Sequence, residues 1–284
     1  MSKGTLYLVA TPIGNLEDVT LRAVEILRSV DLIACEDTRT SRVLLRRHGI
    51  GTPVLSLHRF SESRRIRTIL ERLHEGQNVA LISDAGTPAI SDPGARVVRA
   101  ALDAGFSVSP IPGPSAITAA LSASGMEGSS FVYLGFVPKK PGPRKAFLEN
   151  LLAESRTAVF LETPLRVKTT LKLAAQILGA RRLVLMRELT KIHEEILTGP
   201  AQTILEELDK RPSVKGEIIL VFEGAAPSKP DIDLTEMVRT LMAEGLSGKR
   251  LADEAHRRFG VKKNEAYSTF LSLRGLQSGK ASCS

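Results

Sequence analysis

At 284 residues the chain is long for one hydrophobic core, because single domains run to roughly 100–200 residues. Its 43% hydrophobic content and mean hydropathy of +0.01 exclude a membrane-embedded or wholly disordered protein. The net charge of +8 is concentrated, since residues 37 to 72 hold nine arginines against Asp37, Glu62 and Glu71. A face of that kind is either solvated helix surface or a grip for a polyanion, because Arg meets phosphate through two parallel N–H groups.

In chain order, Thr5 to Ala10 reads as a first strand that ends in Thr11-Pro12-Ile13-Gly14-Asn15-Leu16. Leu21, Val24 and Leu27 then recur at helical spacing. Asp31 to Cys35 is a second strand emptying into Glu36-Asp37-Thr38-Arg39, and Pro53 to Leu57 is a third ending at His58-Arg59. Ser61 opens a helix with Ile66, Ile69, Leu70 and Leu73 on one face, stopped by Gly76. Val79 to Ile82 is a short apolar run of the buried parallel type, and it breaks into Ser83-Asp84-Ala85-Gly86-Thr87-Pro88. Asp92 as N-cap and Pro93 in the first turn predict a helix up to Gly105. Phe106 to Ile111 is the fifth strand, running into Pro112-Gly113-Pro114-Ser115-Ala116. Strands alternating with helices predict a parallel sheet whose polar loops share one edge, the edge at which open α/β sheets bind ligands.

The pattern changes after Ser115. A small-residue helix, Ala116 to Gly125, leads to the strand Phe131 to Phe136 and then to Val137–Lys145, a segment so basic and proline-rich that it predicts irregular structure. A helix to Ala153, the strand Thr157 to Leu161 and a helix ended by Gly179 follow. The strands Arg182 to Arg187 and Glu217 to Phe222 flank a charged stretch, Glu188 to Gly199, and a helix after Pro200. The expected fold class is α/β in two domains, residues 1–114 around a parallel sheet and 115–225 around a mixed one. Ala225 to Pro230 has linker composition, and three helical patterns (Leu234 to Glu244, Ser247 to Phe259, Lys262 to Arg274) make 226–284 a linker with a small helical appendage.

The familiar chemical signatures are absent: no G-x-G-x-x-G after the first strand, no phosphate-binding G-x-x-x-x-G-K-[ST], no H-E-x-x-H and no G-x-S-x-G. Cys35 and Cys283 give neither a disulfide framework nor metal-ligand spacing, so no metal is expected. No apolar run nears the ~18 residues of a membrane span and no leader pattern opens the chain, so a cytoplasmic protein with no membrane partner is expected.

Several loops taken together go further. Thr11 to Asp18, Cys35 to Arg39, Ser83 to Gly94 and Pro112 to Ala116 resemble the tetrapyrrole-methylase fold family. Phe136 to Lys140, Phe160 to Arg166, Arg187 to Lys191 and Gly216 to Ile218 narrow the resemblance to bacterial enzymes that methylate a cytidine ribose 2′-OH in the 16S rRNA of the small ribosomal subunit. The runs Leu161 to Arg166 and Arg59 to Glu62 depart from that group's usual loops, which bears on RNA contacts and not on the fold.

The resemblance implies an S-adenosyl-L-methionine site between the two domains and a homodimer. Carried over by position, Pro12, Ile82, Ser83, Asp84, Gly86, Thr87, Ser115, Ala116, Leu161 and Glu162 would hold the cofactor. Asn15, Glu36, Asp37 and Arg39 are the catalytic candidates, with Glu36 or Asp37 as base and Arg39 as clamp, unless Asp37 and Arg39 form only a structural ion pair. Arg42, Arg46, Arg59, Arg64, Lys139, Lys140 and Arg144 are expected around the cleft mouth against rRNA phosphates. Two other functions stay open: methylation of a small tetrapyrrole or diphthine-like acceptor on the same fold, and a non-enzymatic RNA-binding assembly factor.

Overall fold

The computed structural model describes residues 3–58, 62–226 and 233–278. They belong to two compact units, Met1–Ala225 and Ala226–Ser284. The first half of the larger unit runs β1 (Thr5–Val9), α1 (Leu21–Ser29), β2 (Leu32–Cys35), α2 (Thr38–Arg47), β3 (Val54–Ser56), α3 (Glu62–His74), β4 (Val79–Ile82), α4 (Ala95–Asp103) and β5 (Ser107–Ile111). Its five strands pair in parallel in the order β3-β2-β4-β1-β5. The two-residue period of the strands sorts their side chains: Ile33, Cys35, Ala80 and Ile82 join the core under α1 and α2, while Leu32, Ala34, Val79 and Leu81 join the core under α3 and α4. Both faces are covered, and for that reason these strands read as unbroken apolar runs.

Strands β1 and β4 are neighbours, yet α1 and α4 cover opposite faces. The helices that follow these two strands thus diverge to opposite faces beyond the carboxyl edge, the usual ligand position in such sheets. Helix α4 starts two residues later than Asp92 and Pro93 predict: Gly94, at φ +132°, is the N-cap. The Glu62 carboxylate at the start of α3 accepts the Gly94 N–H at 3.2 Å, so a tertiary contact replaces the local cap.

The second half holds β6 (Phe131–Phe136), β7 (Thr157–Glu162), β8 (Arg182–Arg187), β9 (Glu195–Pro200) and β10 (Ile218–Phe222) in the order β6-β7-β10-β8-β9. Only β6 and β7 run parallel, so this sheet is mixed. One face packs on α5 (Ala116–Ser124) through Ala120, Val159, Val184 and Ile219; the other packs on α6 (Pro141–Asn150), α7 (Val167–Leu178) and α8 (Ala201–Asp209). Buried Phe160 stacks on Phe222 at 5.4 Å between centroids and meets the Phe147 edge at 5.2 Å, contacts worth about 0.5–1.5 kcal/mol each beyond their burial.

Two expectations fail in this half. Of the segment predicted irregular, Val137 to Lys140 is so, but Pro141 to Lys145 opens α6, because Pro141 sits where a helix needs no N–H. The charged stretch after Glu188 contains strand β9, whose Glu195 is neutralised by Arg187 of β8 at 3.0 Å and by Arg211 after α8. The smaller unit has α9 (Leu234–Ala243), α10 (Gly248–Phe259) and α11 (Lys263–Ser278) around a core of its own that includes Met237, Leu241, Leu251, Ala255 and Phe270.

Candidate functional site

The crevice is built by locking the loop after β4 to the loop after β1. Thr11 and Gly86 exchange backbone hydrogen bonds, N–H to C=O, at 2.9 and 3.0 Å, and the buried Thr11 hydroxyl donates to the Ser83 carbonyl at 3.1 Å. Gly86 lies at φ +74°, a left-handed conformation that glycine adopts without strain. Beyond it the loop keeps two non-glycine residues left-handed, Ala89 and Ser91, each at φ +67°. Glu188 and Thr190 do the same after β8, at +54° and +65°. Such backbone is costly, and it persists only where surrounding contacts fix it. Here those contacts join the two halves: Ser91 shares a 2.7 Å hydrogen bond with the Tyr133 hydroxyl, and the Asn15 N–H donates to the Thr190 hydroxyl at 3.1 Å.

Between the halves lies a cavity of about 430 Å³, within the ~300–1,000 Å³ typical of small-molecule sites. The first sheet contributes Glu36, Asp84, Gly86 and Thr87 from strand-end loops; Ser115 and Ala116 come from the start of α5; Leu161, Met186 and Ile219 form an apolar wall from the second sheet. The N-cap residue Ser115 makes no side-chain cap, so the first amides of α5 face the cavity region without a local acceptor and favour an anionic group. Asp84 accepts the Asp37 N–H at 3.1 Å. Loss of solvent raises the Asp84 pKa, the Asp37 N–H opposes that, and the Asp37 charge adds to it. A ligand with a flat apolar ring, hydroxyls for a carboxylate acceptor and a terminal anion fits this set of groups.

Residues expected together are in part separated. Asp84, Gly86, Thr87, Ser115, Ala116, Leu161 and Glu162 border this cavity, but Pro12, Ile82 and Ser83 border a neighbouring one. Glu162 is buried with both carboxylate oxygens committed: Oε1 to the Thr163 N–H at 2.6 Å and Arg166 at 2.8 Å, Oε2 to the Thr170 hydroxyl at 2.6 Å. It shapes the wall through these bonds. Asp37 is the N-cap of α2 and grips Arg39 at 2.7 Å, which holds its pKa at about 2. A carboxyl so acidified is a weak base. The Asn15 side chain accepts the Glu17 N–H at 3.1 Å.

Of the basic candidates, Arg42, Arg46, Arg64, Lys139 and Lys140 are exposed, and Arg59 lies outside the described residues. Arg144 is a correction. It is buried, and its guanidinium donates to the carbonyls of Pro138 at 3.2 Å and Lys139 at 2.7 Å, so it braces the turn that presents the two lysines. Ser91, Tyr133, Met186 and Ile219 escaped sequence reasoning. Strand-end position could have flagged Met186, but the left-handed backbone at Ser91 has no local signal.

The family model for Tetrapyrrole (Corrin/Porphyrin) Methylases matches residues 5–205. The chain belongs to that family. Within it, the chain is 44% identical over 272 residues to the Ribosomal RNA small subunit methyltransferase I of Mesorhizobium japonicum, covering 95% of this chain and 92% of that one. It is 43% identical over 281 residues to the protein of the same name from Escherichia coli O157:H7, covering 96% and 97%. Among solved structures, cobalt precorrin-4 methyltransferase superposes with a TM-score of 0.59 at 18% identity over 76% of this chain and 94% of that one. Diphthine synthase does so at 0.60 and 17% over 78% and 90%. At such identities these two establish the methylase fold alone. Among the described residues no helix is long and apolar enough to cross a membrane, and no cluster of His, Cys, Asp or Glu could hold a metal ion.

Proposed function

We propose that this methylase transfers a methyl group from S-adenosyl-L-methionine to the ribose 2′-OH of a cytidine in the 16S rRNA of the small ribosomal subunit. The observation that carries the reading is the 430 Å³ cavity, with Asp84, the α5 N-terminus and an apolar wall, in a chain 44% identical to a small-subunit rRNA methyltransferase. Leu161, Met186 and Ile219 would flank the adenine, Asp84 would accept hydrogen bonds from the cofactor's polar groups, and the first amides of α5 would meet its carboxylate. When bound, the cofactor supplies a methyl group already activated on a positively charged sulfur.

The protein's task is then alignment, which is worth up to ~7–11 kcal/mol for well-oriented reactants. Glu36, on the cavity wall, is the better candidate to take the hydroxyl proton, because Arg39 keeps Asp37 too acidic. Arg39 itself is 87% exposed and clamps a phosphate from the outer side of its ion pair. Arg42, Arg46, Arg64, Lys139 and Lys140 extend that grip along the RNA. We further propose a cytoplasmic homodimer, folding units at 1–114 and 115–225, and an RNA-contacting role for the helices of 226–284.

The test is transfer of radiolabelled methyl from S-adenosylmethionine to isolated small subunits and, separately, to a free tetrapyrrole, with nuclease digestion to identify the product. Label in 2′-O-methylcytidine is the expected result. Label in a base, or only in the tetrapyrrole, would sink the proposal.

A further inference from the structure

A second, smaller cavity of about 260 Å³ lies against the first, and Ile13, Asp84 and Ala85 line both. An occupant of the second cavity would therefore touch the same segment as the cofactor, the place for a second reactant. Exposed Thr40 and Val43 of α2 line this cavity, together with Pro12 and Leu16 of the loop after β1. Val43 is 58% exposed, and with Pro12 and Leu16 it gives the cavity an apolar lining open to solvent.

The charge on α2 indicates what enters. Arg39 is paired with Asp37, and Arg47 lies 3.6 Å from Glu17. Arg42 and Arg46 are exposed and form no ion pair among the described residues, and they share one side of α2 next to Val43. Unopposed guanidiniums beside an apolar slot suit a ligand that joins a flat ring to flanking phosphates. Lys191 also lines the cavity, held by Glu188 at 2.9 Å and Glu217 at 3.2 Å.

We propose that the second cavity seats the acceptor nucleotide of an RNA strand, turned out of its stack, with its neighbouring phosphates on Arg42 and Arg46. The proposal rests on reading the first cavity as the cofactor site. A nucleobase fills an apolar slot only after leaving its stack, as the splayed-out bases of RNA loops do, and this slot receives it next to the cofactor.

Val43→Trp tests the seat, since it blocks the mouth from an exposed position. Thr40→Trp, also exposed, blocks the same mouth and carries the test if Val43→Trp does not fold. Three quantities are measured: S-adenosylmethionine affinity by calorimetry, co-sedimentation of the cofactor-free protein with small subunits, and KM against kcat for subunit methylation. Val43→Trp should leave cofactor affinity within about twofold, weaken co-sedimentation at least fivefold and raise KM at least tenfold. Arg42→Ala with Arg46→Ala should weaken co-sedimentation and flatten its salt dependence without changing cofactor affinity. Loss of cofactor binding by Val43→Trp would assign the cavity to the cofactor, and unchanged co-sedimentation and KM would leave it without a nucleotide; either overturns the proposal. Wild-type protein that co-sediments, and loses this with Val43→Trp, but transfers no methyl would sink the proposed activity and keep the seat. Wild-type protein that does not co-sediment overturns the seat.

Discussion

The two sheets of the larger unit contribute unlike things to one cavity. The parallel sheet offers its carboxyl edge, so its contribution is loops: charged and polar groups, the amides of an uncapped helix, and backbone held left-handed at Ala89 and Ser91. The mixed sheet offers a face, so its contribution is shape: Leu161, Met186 and Ile219, held by the core beneath α5. An edge can vary its chemistry without disturbing the core, because loops carry few core contacts; a face cannot, because each of its residues belongs to a packed layer. Substitutions on the face should therefore cost stability, and those on the edge should cost binding.

The largest effect expected is on the mixed-sheet side. Glu162→Ala removes one member of a buried network and leaves Arg166 without its carboxylate, a loss of about 3–5 kcal/mol. Urea unfolding would measure it, and a change below about 1 kcal/mol would show that the network does not brace the wall. Asp84→Ala comes next and tests the opposite expectation. It should weaken S-adenosylmethionine binding by about 1.5–3 kcal/mol, or roughly 10- to 100-fold, with little change in melting temperature. Unchanged affinity in calorimetry would remove Asp84 from the site.

The smallest effect concerns Glu195, at the far edge of the mixed sheet. Arg211 and Arg187 hold its pKa down to about 2, below the ordinary 4.5. A depressed carboxyl stabilises the fold above its unfolded pKa, and that contribution fades as pH falls through the folded one. Wild type should thus exceed Glu195→Gln by about 1–3 kcal/mol at pH 7, with the gap closing between about pH 5 and pH 2. A gap independent of pH would mean that packing, not charge, makes the difference.

Local signals on the chain determined the parallel strands, because burial on both faces demands apolar runs, and the site edge, because those runs stop at polar loops. They also determined the three helices of the smaller unit, whose apolar residues recur at helical spacing. Other features were settled only by contacts between residues distant in sequence. Glu62 moved the start of α4 by reaching Gly94 from another helix. Arg187 and Arg211 allowed a charged stretch to become β9. Arg144 reads as one more surface cation until its guanidinium is found buried on the carbonyls of Pro138 and Lys139. The division of the crevice into two cavities on either side of Asp84 is likewise invisible to spacing. Residues of a single loop, Ile82 to Thr87, serve both cavities, and only the folded path of that loop decides which side each residue faces.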